Sequence, residues 1–399
     1  MTSVRRPHPL IAALCALLLA VVLTTCHAAP VAPASDTPKD QPSTTLVEGF
    51  HNVDLGNGWQ PTGSMELAYA RCFTVDTFEG GYQLLCLADG NRYLVVPEGA
   101  QGPDGLADDI LVLQKPISDV YLVASDAMCL FDALDALDAI SVSGIEREDW
   151  SIAAAREAMG AGRIVYGGKY RAPDYELLVS RGVRLAVEST MVNHTPEVRE
   201  KLLELGIPVL VELSSYEDEP LGRAEWVRFY GVLLGRDELA QAAFQHQVEQ
   251  VEGLGEEPTG KSVAFFYLNS SGAAVVRRPG DYVTRMIAQA GGTYAFDDLE
   301  GARPGSSSMT LQMEAFYANA KDADVLIYNA SIDDGVTSLD DLLARSDLFA
   351  DFKAVQTGNV WLCDQDMYQQ MLEAGTIISD MHQAFVGTDA DLTYLRRLT

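Results

Sequence analysis

Residues 237–252 read DELAQAAFQHQVEQVE and place Ala240, Ala243, Phe244, Val248 and Val251 on one stripe, at the i, i+3, i+4 spacing of a helix with a single buried face. Gly235 punctuates the chain before this stretch and Asp237 is offered as an N-cap, while Gly253, Gly255, Pro258 and Gly260 close it. Short strands alternate with helices on both sides. A lone amphipathic helix between two such halves predicts two α/β lobes on one stiff connector, with a cleft between them suited to closing on a small molecule.

Before the connector the rhythm runs strand, turn, helix from Asp119 onward. VYLVAS (120–125), ISVSG (140–144), RIVYGG (163–168), VRLAVES (183–189) and IPVLVEL (207–213) are strands. Helices are expected at 127–137, in EDWSIAAAREAMG, in PDYELLVS, and in EVREKLLEL, where Thr195 offers an N-cap ahead of Pro196. Apolar strands alternating with helices imply a mostly parallel sheet covered on both faces. After the connector the pattern restarts with SVAFFYL (262–268), DYVTRMIAQAGG, LQMEAFYANA (311–320), DVLIYNA (324–330) and NVWLC (359–363) as the last strand. Residues 301–308 form a loop rich in glycine and serine. Ahead of the first lobe, AYARCFTVDTF and YQLLCLADGNRYLVV make a small β unit over 66–97, with turns at Glu79-Gly80-Gly81 and Asp89-Gly90.

The front of the chain is an export segment. Arg5 and Arg6 precede an apolar core, LIAALCALLLAVVL (10–23), too short for a comfortable membrane span. The partition is a signal peptide over 1–26, a flexible Ala-, Pro-, Ser- and Thr-rich tether over 27–64, a first lobe over 65–236, the linker helix over 237–255 and a second lobe over 256–399. Cys72 and Cys86 flank a hairpin and are candidates for a bridge in an oxidising compartment; Cys129 and Cys363 read as buried thiols.

With 57 acidic against 28 basic residues, the formal charge of −29 argues against a nucleic-acid partner, because phosphates attract basic faces. A bare zinc or manganese site needs three or four converging ligands. Yet past the signal segment, which holds His8, His27 and His51 lie in the tether region, His246 sits on the connector, and only His194 and His382 remain. An exported hydrolase is the competing enzymatic reading, but no Gly-x-Ser-x-Gly elbow, HExxH helix or phosphate-cradling loop is present. His194, Ser189 and Asp126 can be drawn as a triad, and nothing orders them. An adhesion or signalling module on the same fold is a third class.

GRIVYGGKYRAPDYELLVSRGVRLAVES followed by EKLLELGIPVLVE, together with the restart SVAFFYLNSSGAAVV and RMIAQAGGTYAF, resembles the substrate-binding proteins of bacterial ABC importers for iron–siderophore complexes, haem and vitamin B12. The resemblance spans about residues 110–390. It departs from the family at Val-Arg-Leu-Ala-Val, where a Pro-Asp-Leu-Val entry is usual, and in the extra β unit. LTTC (23–26) similarly resembles a lipobox, with Thr25 where Gly or Ala is preferred, and makes Cys26 the expected lipidation site.

The resemblance implies a monomeric binding protein, exported and lipid-anchored or periplasmic. It would have no catalytic activity and no cofactor, and would deliver an iron chelate (siderophore or haem, with cobalamin as the alternative) to an ABC permease and its ATPase. It further implies one permease-docking glutamate per lobe, at Glu176 and Glu314. Because ligands sit beyond the carboxyl ends of strands in open α/β sheets, the candidate contacts are Ser125, Met128, Lys169, Tyr170, Met191, His194, Tyr216 and Arg223 in the first lobe. In the second they are Asn269, Arg277, Arg278, Ser307, Asn329 and Tyr368. Arginines and tyrosines supply the charge neutralisation and flat stacking faces that an anionic, aromatic chelate needs.

Overall fold

A computed structural model describes residues 46–255, 257–299, 306–363, 366–387 and 391–399. The expected targeting segment, Cys26, residues 27–45 of the expected tether and the greater part of loop 301–308 lie outside the described residues.

Aromatic and β-branched runs build a first sheet from β1 (Gly63–Ser64), β2 (Phe73–Thr77), β3 (Gln83–Leu87), β4 (Arg92–Val96) and β5 (Ile110–Gln114), in that order. The unit is larger than 66–97 because β5 returns parallel to β4, whereas its other pairs are antiparallel. Part of the stretch read as tether also belongs to it: Leu55 is fully buried in a small core with Phe78, Leu84, Cys86, Leu94 and Ile110. Cys86 sits in that core and Cys72 in the main one, so both thiols are free and buried rather than bridged.

The first lobe follows as β6 (Val120–Leu122), α1 (Met128–Ala133), β7 (Ile140–Ser143), α2 (Ala153–Gly160), β8 (Val165–Tyr166), α3 (Tyr175–Ser180), β9 (Leu185–Ser189), α4 (Pro196–Glu204) and β10 (Val209–Glu212). Its strands form an all-parallel sheet in the order β10-β9-β6-β7-β8. Pro196 opens α4 as expected, but the Thr195 hydroxyl donates to the carbonyl of Val192 at 3.3 Å instead of capping the helix.

Two helices then cross to the second lobe. α5 (Pro220–Leu234) has no polar stripe: Trp226, Val227, Phe229, Tyr230, Val232 and Leu233 are all buried, and it lies at the centre of the molecule. A helix apolar on every side carries no one-face periodicity, which hides it from a pattern reading. It ends at Gly235, whose φ of 66° is the left-handed conformation a helix stop favours. α6 (Asp237–Glu252) is the helix read from the sequence, with Ala240, Phe244 and Val248 buried. Asp237 is its first residue, not its cap, and its carboxylate pairs with Lys115 Nζ at 3.2 Å.

The second lobe is built from β11 (Lys261–Leu268), β12 (Ala274–Arg277), α7 (Tyr282–Gln289), β13 (Gly292–Tyr294), β14 (Ser308–Leu311), α8 (Met313–Ala320), β15 (Val325–Asn329), α9 (Leu339–Arg345), α10 (Lys353–Gln356), β16 (Val360–Cys363), α11 (Asp366–Gln369), α12 (Ala374–Val386) and β17 (Leu395–Arg397). The sheet order is β14-β12-β11-β15-β16-β17, with β13 pairing β11. Its centre is parallel and its margins antiparallel, so β17 rather than β16 is the last strand. α12 reaches α6 closely at Gly375, where an added Cβ would lie 2.1 Å from the carbonyl oxygen of Gln247. Gln247, buried on the α6 stripe, fixes that contact by donating to Glu373 at 3.0 Å and accepting from the Thr376 amide at 3.1 Å.

Each described sheet is drawn from one contiguous span of chain, so no strand passes between the lobes. Side chains of both lobes nevertheless belong to one continuous core that runs through α5. The first sheet is fastened to α5 by two buried carboxylates. Glu225 accepts from the amides of Ala68, Tyr69 and Ala70 at 2.8–3.0 Å and pairs with Arg228 at 2.7 Å. Glu217 accepts from Arg71 and Cys72 amides at 2.8 Å and from the Trp226 indole at 3.0 Å. Phe73 packs edge-on against Trp226 and Phe229 at 5.0 and 5.3 Å. Glu225→Ala leaves three amides, that of buried Ala70 among them, and the Arg228 charge without their partner; chemical denaturation is expected to show a loss of about 3–5 kcal/mol with an unchanged m-value.

Candidate functional site

Between the lobes lies a cavity of about 290 Å³ lined from the first lobe and α5 by Asp126, Ser215 and Arg223, and from the second by Arg277, Asp281, Tyr282, Met286, Ser307, Met367, Tyr368, Gln370, Met371, Ala374 and Ile377. Arg223 stands in the first turn of α5, where its guanidinium donates to the carbonyls of Ser215 at 2.8 Å and Glu217 at 3.1 Å. Those bonds aim its charge across the gap, and its Cζ lies 3.6 Å from the centroid of the Tyr282 ring. Such a contact joins a cation to the negative face of an aromatic ring.

Tyr282 opens α7, which is capped by Asp281 accepting from the Val283 amide at 3.0 Å. Arg277, at the end of β12, donates to the Tyr368 hydroxyl, lies 3.8 Å from Asp281, and has its Cζ 5.7 Å from the Tyr282 ring. Asn329, buried at the end of β15, donates to the same Tyr368 hydroxyl at 3.0 Å and so fixes that ring from behind. Burial pushes the Tyr282 phenol well above its ordinary value, Tyr368 adds to the rise, and Arg277 and Arg223 oppose it. Burial likewise raises the Asp126 carboxyl against the pull of Arg223 and of Ser125, whose hydroxyl donates to it at 3.0 Å. Glu212 behind it is pushed up to about 8 by burial and then by Asp126.

A second cavity, of about 340 Å³, is lined by Val123, Gly144, Ile145, Asp149, Lys169, Tyr170 and Ser189 of the first lobe and by Gln369 of the second.

The structure brings together some of the residues expected from the sequence and separates others. Arg223, Arg277, Ser307 and Tyr368 line the first cavity, with Asn329 and Ser125 supporting it, while Lys169 and Tyr170 line the second. Met128 is fully buried in the core. Met191 and His194 lie on a short turn after β9, with His194 exposed, and line neither cavity. Tyr216 packs against the main core. Asn269 holds a turn by accepting from the Ser271 and Ala273 amides at 3.0 Å, and the Arg278 amide donates to the Ser307 carbonyl at 3.0 Å. The drawn triad is not assembled, since Asp126 and Ser189 line different cavities and His194 lines neither. Among the described residues no group of three or more His, Cys, Asp or Glu side chains could hold a metal ion.

The reading from strand ends missed Tyr282 and Met286, which reach the cavity from a helix, and Met367, Gln369, Gln370 and Met371. The run MYQQM after β16 was their available signal, a cluster of aromatic, amide and thioether groups just beyond a strand end. Chemically the first cavity offers two guanidinium groups, one from α5 and one from the second lobe, two aromatic rings and three thioethers, a lining that can stack and neutralise a flat anionic molecule.

Residues 186–367 match the family model described as periplasmic binding protein, a segment running from β9 into α11. Two uncharacterized lipoproteins of Methanocaldococcus jannaschii are each 25% identical to this chain. One matches over 350 residues, 83% of this chain and 86% of its own length; the other matches over 317 residues, 75% and 73%. Among solved structures, a periplasmic binding protein from Veillonella parvula aligns with TM-score 0.56 and 14% identity over 73% of this chain and 98% of its own. The periplasmic heme-binding protein HutB of Vibrio cholerae aligns with TM-score 0.52 and 19% identity, over 66% and 97%. The petrobactin-binding protein YclQ of Bacillus subtilis aligns with TM-score 0.54 and 12% identity, over 68% and 94%. The chain thus has the periplasmic binding protein fold, and the resemblance read in its sequence is borne out.

One buried acid beside the second cavity makes a testable feature. Glu188, next to Ser189 on β9, is fully buried, and neither carboxylate oxygen has a hydrogen-bond partner among the described residues. Burial pushes it up to about 8 from an ordinary value of 4.5. The folded state therefore holds a proton that the unfolded state releases, and stability falls as pH rises from about 4.5 to about 8. Glu188→Gln removes that share, on the order of 5 kcal/mol. Thermal melts are expected to show the variant gaining on the natural protein as pH goes from 5 to 9, while Glu212 keeps its own slope in both proteins.

Proposed function

We propose that this chain is an extracytoplasmic substrate-binding lipoprotein, anchored through a lipid on Cys26, that captures an iron complex of a siderophore or haem and delivers it to an ABC permease and its ATPase. The observation that carries this reading is the meeting of Arg223, from α5, and Arg277, from the second lobe, in the interlobe cavity, with the Tyr282 ring beside both. An anionic, planar chelate would be neutralised from two sides and stacked on a face. The names of the haem- and petrobactin-binding structures and of the archaeal lipoproteins support the same direction. A corrinoid is the second reading, favoured by the pairing of Arg277 with Asp281, which leaves less free positive charge for an anion.

Fluorescence of the buried Trp150, Trp226 and Trp361, titrated with haemin, a ferric catecholate, a ferric hydroxamate and cobalamin, separates these cargoes. Submicromolar quenching by one iron complex is expected. Arg223→Ala and Arg277→Ala should each weaken it by about 10- to 100-fold, the worth of a charge-assisted hydrogen bond. No quenching by any of the three iron complexes would overturn the cargo assignment.

Glu176 and Glu314 are both exposed and each lies in the first turn of a short helix, one in each lobe. We assign them to permease docking, where carboxylates meet guanidinium groups. Glu176→Ala combined with Glu314→Ala is expected to abolish cellular uptake of the cargo and to leave its affinity unchanged; normal uptake by the double variant would contradict the assignment.

A further inference from the structure

One side chain joins the two lobes at the rim of the cleft. Gln369, at the end of α11, accepts from the Ser151 amide at 2.7 Å and the Ser151 hydroxyl at 2.8 Å through the same Oε1. Its Nε2 donates to the carbonyl of Asp149 at 2.8 Å. The amide oxygen thus uses both lone pairs and the amide nitrogen one of its hydrogens on the loop between β7 and α2, in the other lobe.

The position of this side chain gives the bonds a consequence. The short run Met367–Met371 faces two ways: Met367, Tyr368, Gln370 and Met371 line the cavity holding the two arginines, and Gln369 lines the other. Apart from Gln369, every residue lining the second cavity comes from the first lobe. The run is therefore a partition between the cavities, and Gln369 fastens it to the first lobe. Its contacts lie near the surface and are polar, so they exchange readily for water, whereas the core through α5 does not.

We infer that Gln369 is an interlobe latch, and that its release turns the second cavity, with Lys169 and Tyr170, into an additional subsite continuous with the cleft. The subsite's role in holding cargo rests on the binding reading above; the latch itself does not. A cargo too large for the first cavity alone would extend toward Lys169, whose ammonium and the neighbouring Tyr170 ring suit an acidic or catechol-bearing arm.

The test needs no cargo. Val179, in the first lobe, and Ile332, in the second, are 54% and 55% exposed and serve as spin-label sites once replaced by cysteine. The native Cys72, Cys86, Cys129 and Cys363 are buried, and Cys15 and Cys26 are replaced by serine. Pulsed electron spin resonance is expected to give one narrow distance with Gln369 in place, and a second, longer population in Gln369→Ala. Hydrogen exchange at the Ser151 amide should quicken by about tenfold or more in that variant. Gln370→Ala, which alters the first cavity and not the latch, should change neither. Identical distance distributions and exchange rates for the natural protein and Gln369→Ala would overturn the latch whatever the protein binds.

Discussion

Five backbone amides, from Ala68 to Cys72, end on two buried carboxylates, Glu225 and Glu217, and this fastening fixes the geometry of everything else. Burying a carboxylate is costly unless its lone pairs are filled, and here backbone amides, an indole and Arg228 fill them. The result is that α5 is clamped by the first sheet on one side and packed by both lobes on the others. A helix held in this way cannot bend without exposing apolar surface and stranding charges together. The lobes therefore share a rigid spine.

This rigidity explains how the cleft is furnished. Arg223 belongs to the first turn of α5, so the spine itself aims one guanidinium into the cavity. Glu219, the residue before that helix, pairs with Arg285 and accepts from Gln289 at 3.2 Å, which ties α7 and its Tyr282 to the same point. Arg277 and Tyr368 are then positioned by strand ends of the second lobe. The two halves of the binding wall are thus registered against each other before any ligand arrives, which lowers the ordering cost of binding.

Much of the architecture was legible because its physics is local. Apolar strands alternating with helices announced both lobes, and the stripe on 237–252 announced α6. α5 was silent because burial on every face removes periodicity, and the lesser strands β12, β13, β14 and β17 were silent because they are only three or four residues long, the last three of them pairing with partners distant in sequence. The site divided in the same way. Arg277, Asn329 and Tyr368 lie at or just beyond strand ends, where the topology of an open sheet directs attention, whereas Tyr282 and Met286 enter from a helix face. Met128 and His194 also follow strands, but the first turns inward to the core and the second outward to solvent. Which way a loop residue points is decided by tertiary packing and is not written in the loop.

The central claim is that cargo is held in the gap between the lobes, against Arg223, Tyr282 and Arg277. The most direct measurement is an anomalous difference map at the iron edge, from crystals grown with haemin and with ferric siderophores. A single iron peak within the interlobe cleft is the result this account predicts. A peak on the outer surface of either lobe, or none with any of these complexes, would contradict it.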